Sequence, residues 1–135
     1  MNAQVMKLDE LIARAKDAST RAYAAYSHFQ VGAALLAKNG EVFVGCNVEN
    51  FSYGLTNCAE RSAIFSAVSA GVREFTKIVI FADSKVPISP CGACRQVMAE
   101  FAPNLEIISV NAAGETFQST LDQLLPRAKT GILDS

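Results

Sequence analysis

The sequence predicts a three-layer α/β/α domain built on one mixed sheet of about five strands. Three observations predict it. Short apolar, β-branched segments alternate with stretches of helical spacing, in the order α-β-β-α-β-α-β-β-α. Single helices separate several of the strands, which implies a largely parallel centre with helices on both faces. Asn39-Gly40 lies between two apolar runs and signals a hairpin, so antiparallel strands add to that centre. With 135 residues the chain has room for one domain, taken as 1–135, with a real core, and too little for two.

Each element has its own signal. Over 9–25, apolar Leu11, Ile12, Ala15, Ala18, Ala22 and Ala25 recur at helical spacing, with Arg14, Lys16 and Asp17 elsewhere on the wheel. Tyr26-Ser27-His28 breaks that pattern. Residues 29–37 and 41–48 are the two strands joined around Lys38-Asn39-Gly40. Residues 58–70 form a buried helix that Gly71 stops. The short strand 77–82 is apolar on both faces, as a central strand requires. Ser89-Pro90 opens a helix through Phe101, serine as cap and proline in the first turn. A strand over 105–110, a turn at Ala113-Gly114, a strand over 115–117 and a helix over 120–125 ended by Pro126 complete the chain.

Composition narrows the function classes. Half the residues are hydrophobic and 19% are charged, which describes a folded protein and not a disordered tail. The net charge is −1 and the lysines and arginines are scattered, so a nucleic-acid partner is not expected. The longest apolar-plus-glycine run, 31–37, falls far short of the ~18 residues of a membrane span. Residues 1–10 carry Lys7, Asp9 and Glu10 and no long apolar stretch, so no signal peptide is expected and the cytoplasm is the default location. Four cysteines are then reduced thiols; an exported protein with two disulfides is the alternative.

The chemistry concentrates in Cys58-Ala59-Glu60 and Cys91-Gly92-Ala93-Cys94. Three soft thiolates suit zinc, and three protein ligands leave a position for water, as catalytic zinc sites do. Glu60, two residues from Cys58, is placed to move protons to and from that water. Both segments begin helices, where exposed N–H groups favour thiolate. Three thiolates overcompensate the charge of the ion, and Arg61, with Arg95 as a second candidate, can donate to sulfur and restore its electrophilicity.

Plainer readings stand beside this one. Asn57-x-x-Glu60 fits a capping box. Cys91-x-x-Cys94 fits a redox pair. A structural zinc would take a fourth ligand from Cys46 or His28. Cys46, in a strand, otherwise reads as a small buried hydrophobe, and His28 as a solvated or capping loop residue.

Cys58-Ala59-Glu60-Arg61 together with Pro90-Cys91-Gly92-Ala93-Cys94-Arg95-Gln96 resembles the small cytidine deaminases, the homotetrameric branch with three zinc cysteines. The likeness continues through Tyr26-Ser27-His28-Phe29-Gln30-Val31-Gly32-Ala33-Ala34 and Gly45-Cys46-Asn47-Val48-Glu49-Asn50, and covers about residues 8–126. It implies the cytidine-deaminase-like α/β/α fold and a cytoplasmic homotetramer with one zinc per subunit. The implied activity is hydrolysis of cytidine and 2′-deoxycytidine to the uridines and ammonia, in pyrimidine salvage. Cys58, Cys91 and Cys94 would hold zinc, and Glu60 would carry protons from its water to N3 of cytosine and to the departing ammonia, the established chemistry of zinc deaminases.

The resemblance further implies that Asn47 and Glu49 hold the ribose 3′-hydroxyl and that Phe29 packs on the pyrimidine. The Ala59 N–H would meet the pyrimidine carbonyl, and Tyr53 would reach a neighbouring subunit's site. From the residues alone, Asn47 and Glu49 also fit a turn after a strand, and Phe29 also fits a core position. Two positions depart from the family pattern. Phe51 stands where a small residue is usual, and Leu124-Leu125-Pro126 is followed by Arg127-Ala128-Lys129 where many members carry an aromatic. Three rivals remain: a deaminase of nucleotides or polynucleotides, a deaminase of another aminopyrimidine such as a nucleoside antibiotic, and a non-catalytic zinc-stabilised binding protein.

Overall fold

Five strands, β1 (Val31–Ala37), β2 (Val42–Cys46), β3 (Phe75–Ala82), β4 (Glu106–Val110) and β5 (Thr116–Thr120), form one mixed sheet in the order β2-β1-β3-β4-β5. The structure is a computed structural model and describes residues 3–128. The five-stranded mixed sheet agrees with the sequence reading; the largely parallel centre does not. Among the described strands only β3 and β4 pair in parallel, and the pairings β1–β2, β1–β3 and β4–β5 are antiparallel. β2 and β3 do point the same way, as a helical crossover demands, but β1 lies between them and is antiparallel to both. Alternation of strands and helices fixes direction; it does not reveal that a hairpin partner is inserted into the crossover.

Helices cover both faces. On one, Leu11 and Ala15 of α1 (Ala3–Ser19) bury against Ala34, Val79, Phe81, Ile108 and Val110. On the other, α2 (Ala59–Ser69) and α3 (Gly92–Phe101) bury Ala63, Ile64, Ala67, Met98 and Ala99 against Ala33, Leu35, Ile78, Ile80 and Ile107. The split follows the two-residue period of β3, Ile78 and Ile80 facing one layer while Val79 and Phe81 face the other. A short α4 (Leu121–Leu124) follows β5, its start closed by a reciprocal Thr120–Gln123 capping box.

Several boundaries differ from the sequence reading. α1 stops at Ser19 although helical spacing continues to residue 25. The Ser19 and Thr20 hydroxyls turn back to the Lys16 and Asp17 carbonyls, and Tyr23 is drawn into backbone bonds with Asn47 and Glu49. Tertiary pairing there outweighs a spacing that only alanines sustain. α3 starts at Gly92, capped by Cys91 and not by Ser89; the Cys91 sulfur accepts from the Cys94 N–H at 3.4 Å. β1 begins two residues later than expected, and β5 extends to Thr120.

The stop of α2 is as expected. Gly71 adopts φ +88°, its N–H reaches Val68 O, and Val72 N–H reaches Ala67 O, the paired bonds of a left-handed helix terminus.

The site edge of the sheet is set by register. Gly32 pairs with Cys46 and Val31 with Ala82, so the start of β1 and the ends of β2 and β3 share one edge. α2 and α3 both rise from that edge and pack on each other. Close approach of α2 to β2 depends on Gly45, where a Cβ would lie 2.4 Å from Ala63 N and 2.6 Å from Ala59 O. Both obstacles are backbone, so Gly45→Ala must push the start of α2 off the sheet. We expect it to cost about 1–3 kcal/mol in stability and to weaken metal retention, because Cys58 adjoins the displaced turn. Thermal melts and zinc analysis measure both, and an unchanged melt and metal content would contradict this account.

Candidate active site

Two helix starts bring three thiols together. Cys58 is the N-cap of α2, Cys91 is the N-cap of α3, and Cys94 lies in the first turn of α3. The Cys58 and Cys91 sulfurs are 3.8 Å apart, those of Cys91 and Cys94 are 3.4 Å apart, and all three lie within 4.8 Å of one another. Tetrahedral Zn–S bonds of about 2.3 Å place sulfurs about 3.8 Å apart, so the donor set fits zinc in both softness and spacing. Neither Cys46 nor His28 joins the cluster among the described residues. The closed, four-ligand structural site therefore lacks its fourth donor.

Charge in the cluster is polarised. A hydrogen bond from Cys94, helped by Arg61 and Cys91 against burial, holds the Cys58 thiol down to about 5. Cys94 is pushed the other way, chiefly as the partner of Cys58 and by burial. Arg61 donates from Nη2 to Cys58 Sγ at 3.4 Å, and its own acidity is weakened first by that bond. The expected donation from Arg61 to sulfur is thus present in the geometry. That of Arg95 is not: its guanidinium donates to Pro90 O, Leu124 O and Ser89 Oγ, fastening the approach to Cys91 to the end of α4. We expect Arg61→Ala to lower zinc affinity about 10–100-fold by releasing Cys58 toward an ordinary thiol. A chelator-competition titration reads this directly, and equal affinity would reduce Arg61 to a packing role.

Glu60 points into this site and is only 4% exposed. Burial raises its carboxyl to about 7, and the charge of Cys58 adds to the shift. The capping-box reading does not hold. The N-cap is Cys58, and the Asn57 amide donates to Ser62 Oγ.

A hollow of about 260 Å³ opens beside the cluster, lined by Ser27, Phe29, Val31, Asn47, Glu49, Thr56, Cys58, Ala59, Glu60, Ile88, Ser89 and Cys91. Phe29 is 39% exposed there and is not a core residue. Asn47 and Glu49 staple the chain around it. Asn47 Oδ1 accepts from Val31 N at 2.8 Å and Nδ2 donates to Phe29 O at 2.9 Å. Glu49 accepts from the Tyr26 and Ser27 N–H groups and from the Ser27 hydroxyl, and these bonds, the hydroxyl foremost, hold its carboxyl below the usual pKa. His28 is held at φ +59°, a left-handed position between the Ser27 contact and Phe29.

Tyr53 lies outside this hollow. It is 80% exposed on a single 3-10 turn, Tyr53–Leu55, and lines an adjoining depression with Tyr26, Ser27, Glu49, Asn50 and Thr56. Phe51 is equally exposed and lines neither hollow. Lys129, next to the missing aromatic, lies outside the described residues. Sequence reasoning missed Ser27, Val31, Thr56, Ile88 and Ser89 as lining residues. Ser27 had a signal in the Tyr-Ser-His-Phe string; Ile88 and Ser89 had none beyond their nearness to Cys91.

A family model described as the cytidine and deoxycytidylate deaminase zinc-binding region matches residues 6–109. The cytidine deaminase of Sporosarcina psychrophila is 50% identical over 124 residues, covering 91% of each chain. That of Halalkalibacterium halodurans is 53% identical over 121 residues, covering 89% of this chain and 92% of the other. The crystal structure of cytidine deaminase from Burkholderia pseudomallei aligns with a TM-score of 0.86 at 50% identity, covering 94% of this chain and 98% of that one.

Proposed function

The chain belongs to the cytidine and deoxycytidylate deaminase family of zinc-binding enzymes, and from that footing we propose that it hydrolyses cytidine and 2′-deoxycytidine to the corresponding uridines and ammonia. The observation that carries this reading is the convergence of three thiols on a buried carboxyl at the floor of a hollow. Cys58, Cys91 and Cys94 hold one zinc per subunit. When bound, zinc supplies Lewis acidity that brings the pKa of a coordinated water toward neutrality, as is established for this enzyme class.

The chain's own residues do the rest. Glu60 accepts a proton from water and gives it to N3 of the pyrimidine, then takes the proton of the added hydroxyl and passes it to the leaving amine. Ala59 opens α2, so its N–H lies outside the helical ladder and is available to the pyrimidine carbonyl. Phe29 covers the ring face. A carboxylate has about four acceptor positions and a primary amide two protons. Glu49 and Asn47 therefore keep capacity for a ribose hydroxyl after holding the loop. Among the described residues the lining of the hollow has no lysine or arginine, which favours a nucleoside over a nucleotide.

Tyr53, exposed and beside the adjoining depression, is assigned to a neighbouring subunit's pocket in a homotetramer. The four cysteines are free thiols, in keeping with a cytoplasmic salvage enzyme, and no described helix is long and apolar enough to cross a membrane.

The test is an absorbance assay on cytidine, 2′-deoxycytidine, cytosine and CMP, with and without chelator, beside sedimentation for subunit number. Turnover of the two nucleosides, lost on chelation and restored by zinc, is expected. Zinc-loaded protein that releases no ammonia from any of the four would overturn the proposal and leave a zinc-stabilised binding protein.

A further inference from the structure

Residues 83–91 run from the end of β3 to Cys91 and bring Ile88 and Ser89 into the wall of the hollow. The loop is fastened at two places. Near Cys91, Arg95 grips Ser89 Oγ and Pro90 O. At the far end the grip comes from Asn111, just past β4 and 2% exposed. Its Nδ2 donates to Ser84 O at 3.1 Å, to Lys85 O at 3.2 Å and to Glu115 Oε1 at 2.8 Å. Its Oδ1 accepts from Glu115 N at 2.9 Å. One side-chain amide thus ties the β4–β5 turn to the loop that carries the pocket wall.

Both halves of that amide bond the turn at Glu115, and only one of them reaches the loop. Oδ1 serves the turn, where backbone bonds between residues 111, 114 and 115 already close the hairpin. Nδ2 alone reaches the loop carbonyls. A turn that needed only a local cap would not require a buried donor aimed at two carbonyls 26 and 27 positions away in sequence. Between the two fastenings lie Val86, Pro87 and Ile88, and Val86 is exposed. If the far fastening is released, the span lengthens and Ile88 is held in the wall by its packing against the core alone. Ordered loop geometry of this kind, built on residues that touch no ligand, sets affinity by holding the wall in its bound position.

We propose that Asn111 is a positioning residue for substrate binding, holding Ile88 and Ser89 in the pocket wall through the Ser84 and Lys85 carbonyls. This rests on the nucleoside reading of the hollow. Asn111→Asp combined with Glu115→Gln separates the turn bonds from the loop bonds. The aspartate still accepts from Glu115 N and gains a donor in the glutamine, so the turn survives, while both loop carbonyls lose theirs.

The double variant should raise KM for cytidine about tenfold, the scale of one lost pocket-wall contact, with kcat within about twofold and zinc content unchanged. Trypsin should also cut after exposed Lys85 faster than in the wild type, a readout that needs no substrate. Asn111→Ser, too short to reach the loop, is the second variant and should behave alike if the first does not fold. Unchanged KM, a fall in melting temperature alone, loss of zinc, or unaltered cleavage after Lys85 would each overturn the inference. Wild-type turnover tests the nucleoside reading by itself, so the two failures are distinguishable.

Discussion

Glu60→Gln is expected to remove most turnover, by about 10²–10⁴-fold, while zinc content and fold survive. The substitution keeps the shape of a side chain that is almost wholly buried, and it keeps a polar group at the same place. What it removes is the carboxyl itself, the group beside the three thiols that can take and give a proton. Glutamine can do neither. Steady-state assays with metal analysis read the effect, and near-normal turnover would leave Glu60 with a structural role only.

A second signature follows in chelated protein. A carboxyl raised from 4.5 to about 7 stabilises the fold while protonated, so its contribution is lost as pH rises through that window. The stability of wild type relative to Glu60→Gln should therefore fall between those pH values, and parallel curves would show that the acidity of Glu60 is ordinary.

The fold was legible where local chemistry decides it. Gly71 ends α2 because the left-handed position demands it, and Gly40 at φ +93° closes the β1–β2 hairpin. Sheet order was not legible. Insertion of β1 between β2 and β3 is a long-range pairing, and nothing in an apolar run such as β3 names its neighbours. The end of α1 failed for a related reason: Tyr23 leaves the helix to bond Asn47 and Glu49, partners more than twenty residues away.

The candidate site was more legible than the sheet, because metal ligands are rare residue types at restrictive spacing. Cys58, Cys91, Cys94, Glu60 and Arg61 meet as the two motifs require. Arg95 shows the limit of that logic. Lying four residues after Cys91 puts it near the metal segment but does not fix its direction, and it turns to the Pro90 and Leu124 carbonyls. Asn47 and Glu49 were read as ligand groups, whereas the geometry first commits them to the Tyr26–Val31 backbone. Their hold on Phe29 belongs to contacts between distant segments, and no spacing rule reaches it.

Cys91→Ala is expected to abolish metal retention and, with it, the stability that the metal lends. Cys91 joins the two helix starts: its sulfur is 3.8 Å from Cys58 and 3.4 Å from Cys94. Two remaining thiols cannot hold zinc against a competing chelator, so zinc content should fall to about a tenth or less of one per chain. Binding that favours only the folded state adds stability through mass action, and its loss lowers the melting temperature by about 3–4 °C for each kcal/mol.

The comparison that decides the cause is made without metal. Cys91 is exposed, so its removal leaves no cavity, and the cap bond to Cys94 N is worth about 1 kcal/mol. Chelated wild type and chelated Cys91→Ala should therefore melt within a few degrees of each other, while the zinc-loaded wild type stands well above both. A wide gap that persists under chelation would mean that the sulfur packs the protein and does not serve an ion. A redox pair makes a different forecast: the variant would keep its metal-free behaviour but lose an oxidisable dithiol, with no response of wild-type stability to zinc.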